Sequence, residues 1–77
     1  MASYVLVHGA WGGGWLYKDI ARALREAGHD VYVPTLTGLG ERAHLASPAI
    51  TLSTHIADVV GVLERESLED VILVGHS

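Results

Sequence analysis

A serine hydroxyl becomes a nucleophile when it projects clear of its own backbone and a neighbouring base takes its proton. The last three residues of the sequence, Gly75-His76-Ser77, have the composition for the first requirement. They follow the apolar run Val71-Ile72-Leu73-Val74, and G-H-S after a strand is the first half of a G-x-S-x-G elbow. In that motif the strand turns so sharply into a helix that the residues flanking the serine must be tiny. Gly75 meets the upstream half of the demand; the same three letters would also fit a strand that ends in a polar turn. A second signal is His8-Gly9-Ala10-Trp11, directly after the apolar run Tyr4-Val5-Leu6-Val7. Attack on a carbonyl leaves negative charge on its oxygen, and backbone N–H groups fixed nearby stabilise that charge. A glycine-containing turn can aim such a group, so the Ala10 N–H is the candidate donor, with the residue after Ser77 as its partner. The competing account of Gly9 and of Gly12 to Gly14 is a flexible connection in which Trp11 and Trp15 pack.

The elements that must position these residues are legible as periodicities. Tyr4–Val7, Val31–Val33 and Val71–Val74 are β-branched or aromatic and apolar on both faces, the pattern of strands covered on two sides. Between the first two runs, Leu16, Ile20, Ala23, Leu24 and Ala27 recur at helical spacing, and Gly28 stands where a left-handed C-cap belongs. Between the second and third, Ile56, Val59, Val60 and Leu63 repeat the pattern, with Ser53 or Thr54 as N-cap. Strands alternating with helices predict an α/β fold, a parallel sheet with flanking helices. The two long loops, 9–15 and 34–50, leave the C-terminal ends of strands, where open α/β sheets bind ligands.

The 77 residues carry a net charge of −4, with only five Lys and Arg and no basic cluster, which argues against nucleic acid or an anionic membrane as partner. A small neutral substrate fits better. The chain has no cysteine, and no apolar run approaches the roughly 18 residues of a membrane span, so a soluble cytoplasmic protein is expected. Glycine spacing disfavours a dinucleotide-binding module: a G-x-G-x-x-G frame from Gly12 would need glycine at Tyr17, and the second strand runs into Pro34-Thr35 rather than an acidic residue. A P-loop fails because Trp15 and Leu16 follow Gly14. Glu41 and His44 have the spacing of a metal pair but lack a helix to present them or further ligands to complete a site, and no metal or cofactor is expected. A non-catalytic scaffold of the same fold is a third reading.

Taken together, Val5-Leu6-Val7-His8-Gly9-Ala10-Trp11-Gly12-Gly13-Gly14-Trp15, Val33-Pro34-Thr35-Leu36-Thr37-Gly38-Leu39-Gly40-Glu41-Arg42 and Val71-Ile72-Leu73-Val74-Gly75-His76-Ser77 resemble the α/β-hydrolase superfamily. More narrowly, they resemble the branch of plant methylesterases, hydroxynitrile lyases and bacterial esterases. The resemblance spans essentially the whole chain and implies the N-terminal part of an α/β-hydrolase fold, with the first strand between the other two and a cap region over the site.

The resemblance further implies that Ser77 is the nucleophile, that the Ala10 N–H belongs to the oxyanion hole, and that an Asp and then a His follow later in a longer polypeptide. Residues 1–77 would then be a fragment of one domain, continued from residue 78 and inactive alone. His8 and His76 are expected to shape turns through hydrogen bonds, with Gly9, Trp11 and Gly75 as motif or pocket residues. The expected activity is hydrolysis of a carboxylic ester through an acyl-enzyme. Hydroxynitrile lyases carry threonine at the position of Gly9, so glycine there favours the esterase over the lyase alternative. Thr35 stands where relatives often have an acidic residue; Trp11, Trp15 and Leu39 are candidates for the wall of an apolar pocket, with core packing the favoured role of Trp15.

Overall fold

The computed structural model describes residues 2–76; Met1 and Ser77 lie outside them. In chain order the elements are β1 (Ser3–Val7), a 3-10 turn (Gly14–Tyr17), α1 (Lys18–Glu26), β2 (Asp30–Tyr32), a second 3-10 segment (Gly40–Leu45), α2 (Leu52–Arg65) and β3 (Val71–Gly75). The sheet has the order β2-β1-β3. Both pairings are parallel, with Tyr4 opposite Val31 and Ile72, and Val7 opposite Gly75. The first strand is central, as the resemblance implied. At the start of the sheet the Ala2 N–H donates to His29 Nδ1 at 3.0 Å, and Tyr4 meets the His29 ring edge-on at 5.2 Å, which ties the register of β1 to β2.

On one face of β1 Leu6, Ala21 and Val31 are buried, with Tyr4, Tyr17, Leu24, Val33 and Val74 packed against them, and on the opposite face Val5 is fully buried. Burial of a side chain such as Leu6 stabilises by about 1.5–3 kcal/mol. The α1 stripe differs from the expected one. Leu16 and Ile20 are exposed, as are Ala23 and Ala27, and the packed line is Tyr17, Ala21 and Leu24. The entry to the helix is a 3-10 turn, tighter than 3.6 residues per turn, and the seam that meets the sheet lies one residue further along. Gly28 closes α1 as expected, at φ +93°: its N–H donates to the Arg25 carbonyl and the His29 N–H to the Leu24 carbonyl, a Schellman pair.

Two further expectations are corrected. The N-cap of α2 is Thr51, not Ser53 or Thr54; Thr54 is the third helical residue, and its hydroxyl accepts the Thr51 N–H at 3.1 Å. β3 is not covered on both faces, since Ile72 and Leu73 are exposed and only Val71 and Val74 are half-buried. It pairs with β1 along one edge, and among the described residues no helix lies over Leu73. The half-buried side of α2 includes His55, Asp58, Val59, Val62 and Leu63, while Ile56 and Val60, expected in the apolar stripe, are exposed.

Candidate active site

Parallel pairing brings the ends of β1 and β3 together. Val7 lies opposite Gly75, and the His76 N–H donates to the Val7 carbonyl at 3.1 Å, carrying the ladder one residue past β3. The same carbonyl accepts the Tyr17 hydroxyl at 3.0 Å, so α1 is tied to the point where β1 ends. His8-Gly9 and Gly75-His76 therefore sit side by side on neighbouring strands. Ser77, the expected nucleophile, lies outside the described residues. The described residues leave open space within 4 Å of where a Gly75 Cβ would stand, so they do not themselves impose small size there.

His8 is buried and bonded at both ring nitrogens. Nε2 lies 3.0 Å from the Leu36 nitrogen and Nδ1 2.7 Å from the Gly9 oxygen. A backbone N–H only donates, so Nε2 accepts; a carbonyl only accepts, so Nδ1 carries the proton. The ring is thus neutral and joins the loop after β1 to the loop after β2. The Gly9 carbonyl also accepts the Gly12 N–H at 3.1 Å, which closes the turn around Ala10 and Trp11. Ala10 and Trp11 are exposed, Trp11 fully.

Two glycines, Gly14 and Gly40, are required by close approach of backbone to backbone. A Cβ on Gly14 would stand 2.7 Å from the Val33 carbonyl oxygen, and one on Gly40 would stand 2.9 Å from the Gly13 Cα. The two loops therefore touch backbone to backbone. Thr35 joins them: its buried hydroxyl accepts the Gly14 N–H at 2.8 Å and donates to Glu41 Oε2 at 2.7 Å. Donation from Thr35 is the main influence that lowers the Glu41 carboxyl below its ordinary value. The Arg42 guanidinium, bonded to the Thr35 carbonyl at 2.8 Å, adds to it. Thr35 thus supplies a hydroxyl bridge to an acidic group six residues on.

A second tie reaches α2. Asp58 accepts the Thr37 N–H at 2.7 Å and its hydroxyl at 2.8 Å, one on each carboxylate oxygen, and His55 Nε2 donates to the Thr37 carbonyl at 2.9 Å. Burial pushes the Asp58 carboxyl up, but the two Thr37 bonds and the Arg42 charge outweigh it, and the group titrates below its ordinary value.

Beside His8, Gly9 and His76 a cavity of about 210 Å³ is walled by Leu16, Tyr17 and Ile20. The sequence pattern assigned Leu16 and Ile20 to the core; they face this cavity instead, and the displaced helical stripe is the reason. Trp15 is likewise not a core residue, being 58% exposed. No local pattern announces the polar bonds of Thr35 to Glu41 and of Thr37 to His55 and Asp58; the one hint in the sequence is the pair of polar residues, His55 and Asp58, one turn apart among the apolar residues of α2.

Comparison with known proteins agrees with this geometry. A family model described as "Alpha/beta hydrolase family" matches residues 4–77. The chain is 65% identical over 77 residues to a carbendazim-hydrolyzing esterase of Nocardioides sp. (strain SG-4G), covering 100% of this chain and 32% of that protein. It is 36% identical over 75 residues to salicylic acid-binding protein 2 of Nicotiana tabacum, covering 96% of this chain and 29% of the relative. Among solved structures, an extracellular alpha/beta-hydrolase from a Paenibacillus species, described as a structural and functional homologue of the tobacco protein, superposes with a TM-score of 0.87 at 32% identity, covering 100% of this chain and 31% of that one. Tomato methylketone synthase I superposes with a TM-score of 0.81 at 29% identity, over 99% of this chain and 30% of the other. The chain spans about a third of the length of the curated relatives it matches. No helix among the described residues is long and apolar enough to cross a membrane, and the Paenibacillus relative is described as extracellular, so the expected cytoplasmic location does not follow from the family. Strand order, loop motifs and the family match converge: the chain belongs to the alpha/beta hydrolase family.

Proposed function

We propose that the chain is the first third of a serine esterase that cleaves small-molecule esters through an acyl-enzyme on Ser77. The observation that carries this reading is the register at the ends of β1 and β3, with the His76 N–H on the Val7 carbonyl, because it sets the two motifs of the site on adjacent strands. Ser77 Oγ attacks the ester carbonyl while its proton passes to a histidine supplied beyond residue 77, oriented by an acidic residue in the order Ser, Asp, His. The carbonyl electron pair moves onto oxygen, where the Ala10 N–H and the N–H after Ser77 hold it. It then returns and expels the alcohol, which takes the proton from the histidine. Water, activated by the same histidine, releases the acid and restores the serine.

The name of the Nocardioides relative, 65% identical over the whole chain, supports the esterase assignment and makes carbendazim, a methyl carbamate on a flat aromatic ring, a substrate to try beside simple esters. Leu16 and Ile20 give the cavity an apolar wall suited to an uncharged group. The complete protein is expected to hydrolyse p-nitrophenyl acetate, and Ser77→Ala to abolish turnover with the fold retained; undiminished activity in that variant would reject the reading.

A further inference from the structure

Resting on the esterase reading above, we propose that His8 is a positioning residue that aims the oxyanion donor. It acts through the Nδ1 proton on the Gly9 carbonyl and not through its link to Leu36.

The argument is one of peptide geometry. In a trans peptide the carbonyl of one residue and the N–H of the next point in opposite directions in one plane. Among the described residues no peptide bond is cis, so fixing the Gly9 oxygen fixes the Ala10 N–H. Two donors hold that oxygen, His8 Nδ1 at 2.7 Å and Gly12 N at 3.1 Å. The Ala10 N–H is thereby turned away from both of them, and among the described residues no atom accepts it. The Gly12 bond alone closes a turn that glycine residues leave free to rock; the buried imidazole is the rigid member of the pair. The Leu36 N–H has a different part. By donating to Nε2 it forces the proton onto Nδ1 and so selects the tautomer that can donate to Gly9. The second loop thus sets the protonation pattern of the ring, and the ring sets the direction of the amide.

The two ring nitrogens can be separated by substitution. An asparagine at position 8 reaches the place of Nδ1 and keeps a donor for the Gly9 carbonyl, but loses the acceptor for Leu36. A glutamine reaches the place of Nε2 and keeps the Leu36 acceptor, but loses the donor. In the complete protein with p-nitrophenyl acetate, His8→Gln is expected to lower kcat on the order of tenfold or more with KM changed less than about twofold, as for a misdirected oxyanion donor. His8→Asn keeps kcat within about threefold while its melting temperature falls, because the buried Leu36 N–H is left unpaired. A trifluoromethyl ketone, which binds as the tetrahedral oxyanion, weakens in parallel with kcat in the Gln variant only. Loss in Asn with retention in Gln, equal loss in both, or retention in both overturns the proposal. Nitrogen-15 shifts of His8 in the unmutated protein add an arm independent of how the variants fold: a protonated Nδ1 is expected, and a protonated Nε2 overturns it. A dead Ser77→Ala protein beside a fully active His8→Gln protein would remove this inference and leave the esterase reading standing.

Discussion

The two crossovers of the sheet are built alike in sequence and held by different forces. The first, β1 to α1 to β2, buries Ala21 between Leu6 and Val31, with Tyr17 and Leu24 beside it. The second, β2 to α2 to β3, has no buried side chain in its helix. It is attached through Thr37, which gives two bonds to Asp58 and takes one from His55. An open groove of about 780 Å³ separates Tyr32, Val33 and Pro34 from Ala57, Gly61 and Val62. The contrast teaches that an amphipathic period announces a helix but does not say what its apolar stripe touches. A helix fixed by directional bonds at one end can hold a loop in place while its apolar residues, here Val59, Val62 and Leu63, are only half-buried, whereas one fixed by burial must lie flat on the sheet.

That contrast breaks most visibly in the core of the first crossover. Leu6→Ala in the complete protein is expected to cost about 2–5 kcal/mol in urea unfolding, since Leu6 is buried to 1% exposure and has Ala21 and Val31 on its face. A loss below about 1 kcal/mol would mean that the first crossover is not held by this cluster. Next in size is the seat between the loops. Gly14→Ala puts a methyl 2.7 Å from the Val33 carbonyl oxygen, a backbone atom that cannot swing aside, and strains the Gly14 bond to Thr35. A cost of about 1–3 kcal/mol is expected, with a loss of turnover because the same loop carries Ala10. An unchanged melting temperature would show that the loops do not meet as tightly as these distances require.

What the sequence made legible was whatever depends on local pattern: three strands, two helices, the parallel α/β order and the Gly28 cap. The nearness of His8-Gly9 to Gly75-His76 came from two motifs in a recognisable order, and the register bears it out. The packed side of each helix was not legible to within a residue. For α1 the cause is the 3-10 entry, which a 3.6-residue period cannot anticipate, so Leu16 and Ile20 passed for core when they wall the cavity. For α2 the cause is the polar tie, because Thr37 and Asp58 are 21 residues apart and no periodicity links them. The bonds of Thr35 to Gly14 and Glu41 were equally hidden, since they join two loops through a hydroxyl whose partners only the folded chain brings near.

The polar tie should be sensitive to pH where the apolar one is not. The Asp58 and Glu41 carboxyls both titrate below their ordinary values in the folded chain. A depressed folded pKa means that their contribution is complete above the unfolded value, declines below about pH 4, and is gone once the pH is under the folded value. Hydrogen exchange at the Thr37 amide should therefore lose protection as the pH falls through that window, after correction for the intrinsic rate, while the Leu6 and Val31 amides keep theirs. Asp58→Asn should bring the same loss at neutral pH. Protection at Thr37 that is indifferent to both changes would remove the polar account of how α2 is held.

The smallest expected effect lies at the helix ends, where the two crossovers also differ. Both helices close with the same Schellman pair. In α1 the left-handed residue is Gly28, and in α2 it is Ser67 at φ +52°, whose N–H donates to the Glu64 carbonyl while the Leu68 N–H donates to the Leu63 carbonyl. A side chain in the left-handed region crowds its own carbonyl, on the order of 1 kcal/mol for a residue other than glycine. Ser67→Gly relieves that crowding but also loosens the unfolded chain, so the net gain in stability should be smaller, about 0.5 kcal/mol. Gly28→Ala imposes the crowding where it is now absent and should cost about 1 kcal/mol; no neighbour stands within 4 Å of the added methyl, so backbone strain is its sole source. If the two substitutions moved stability in the same direction, the helix ends would not be governed by left-handed strain, and the contrast between the crossovers would rest on their faces alone.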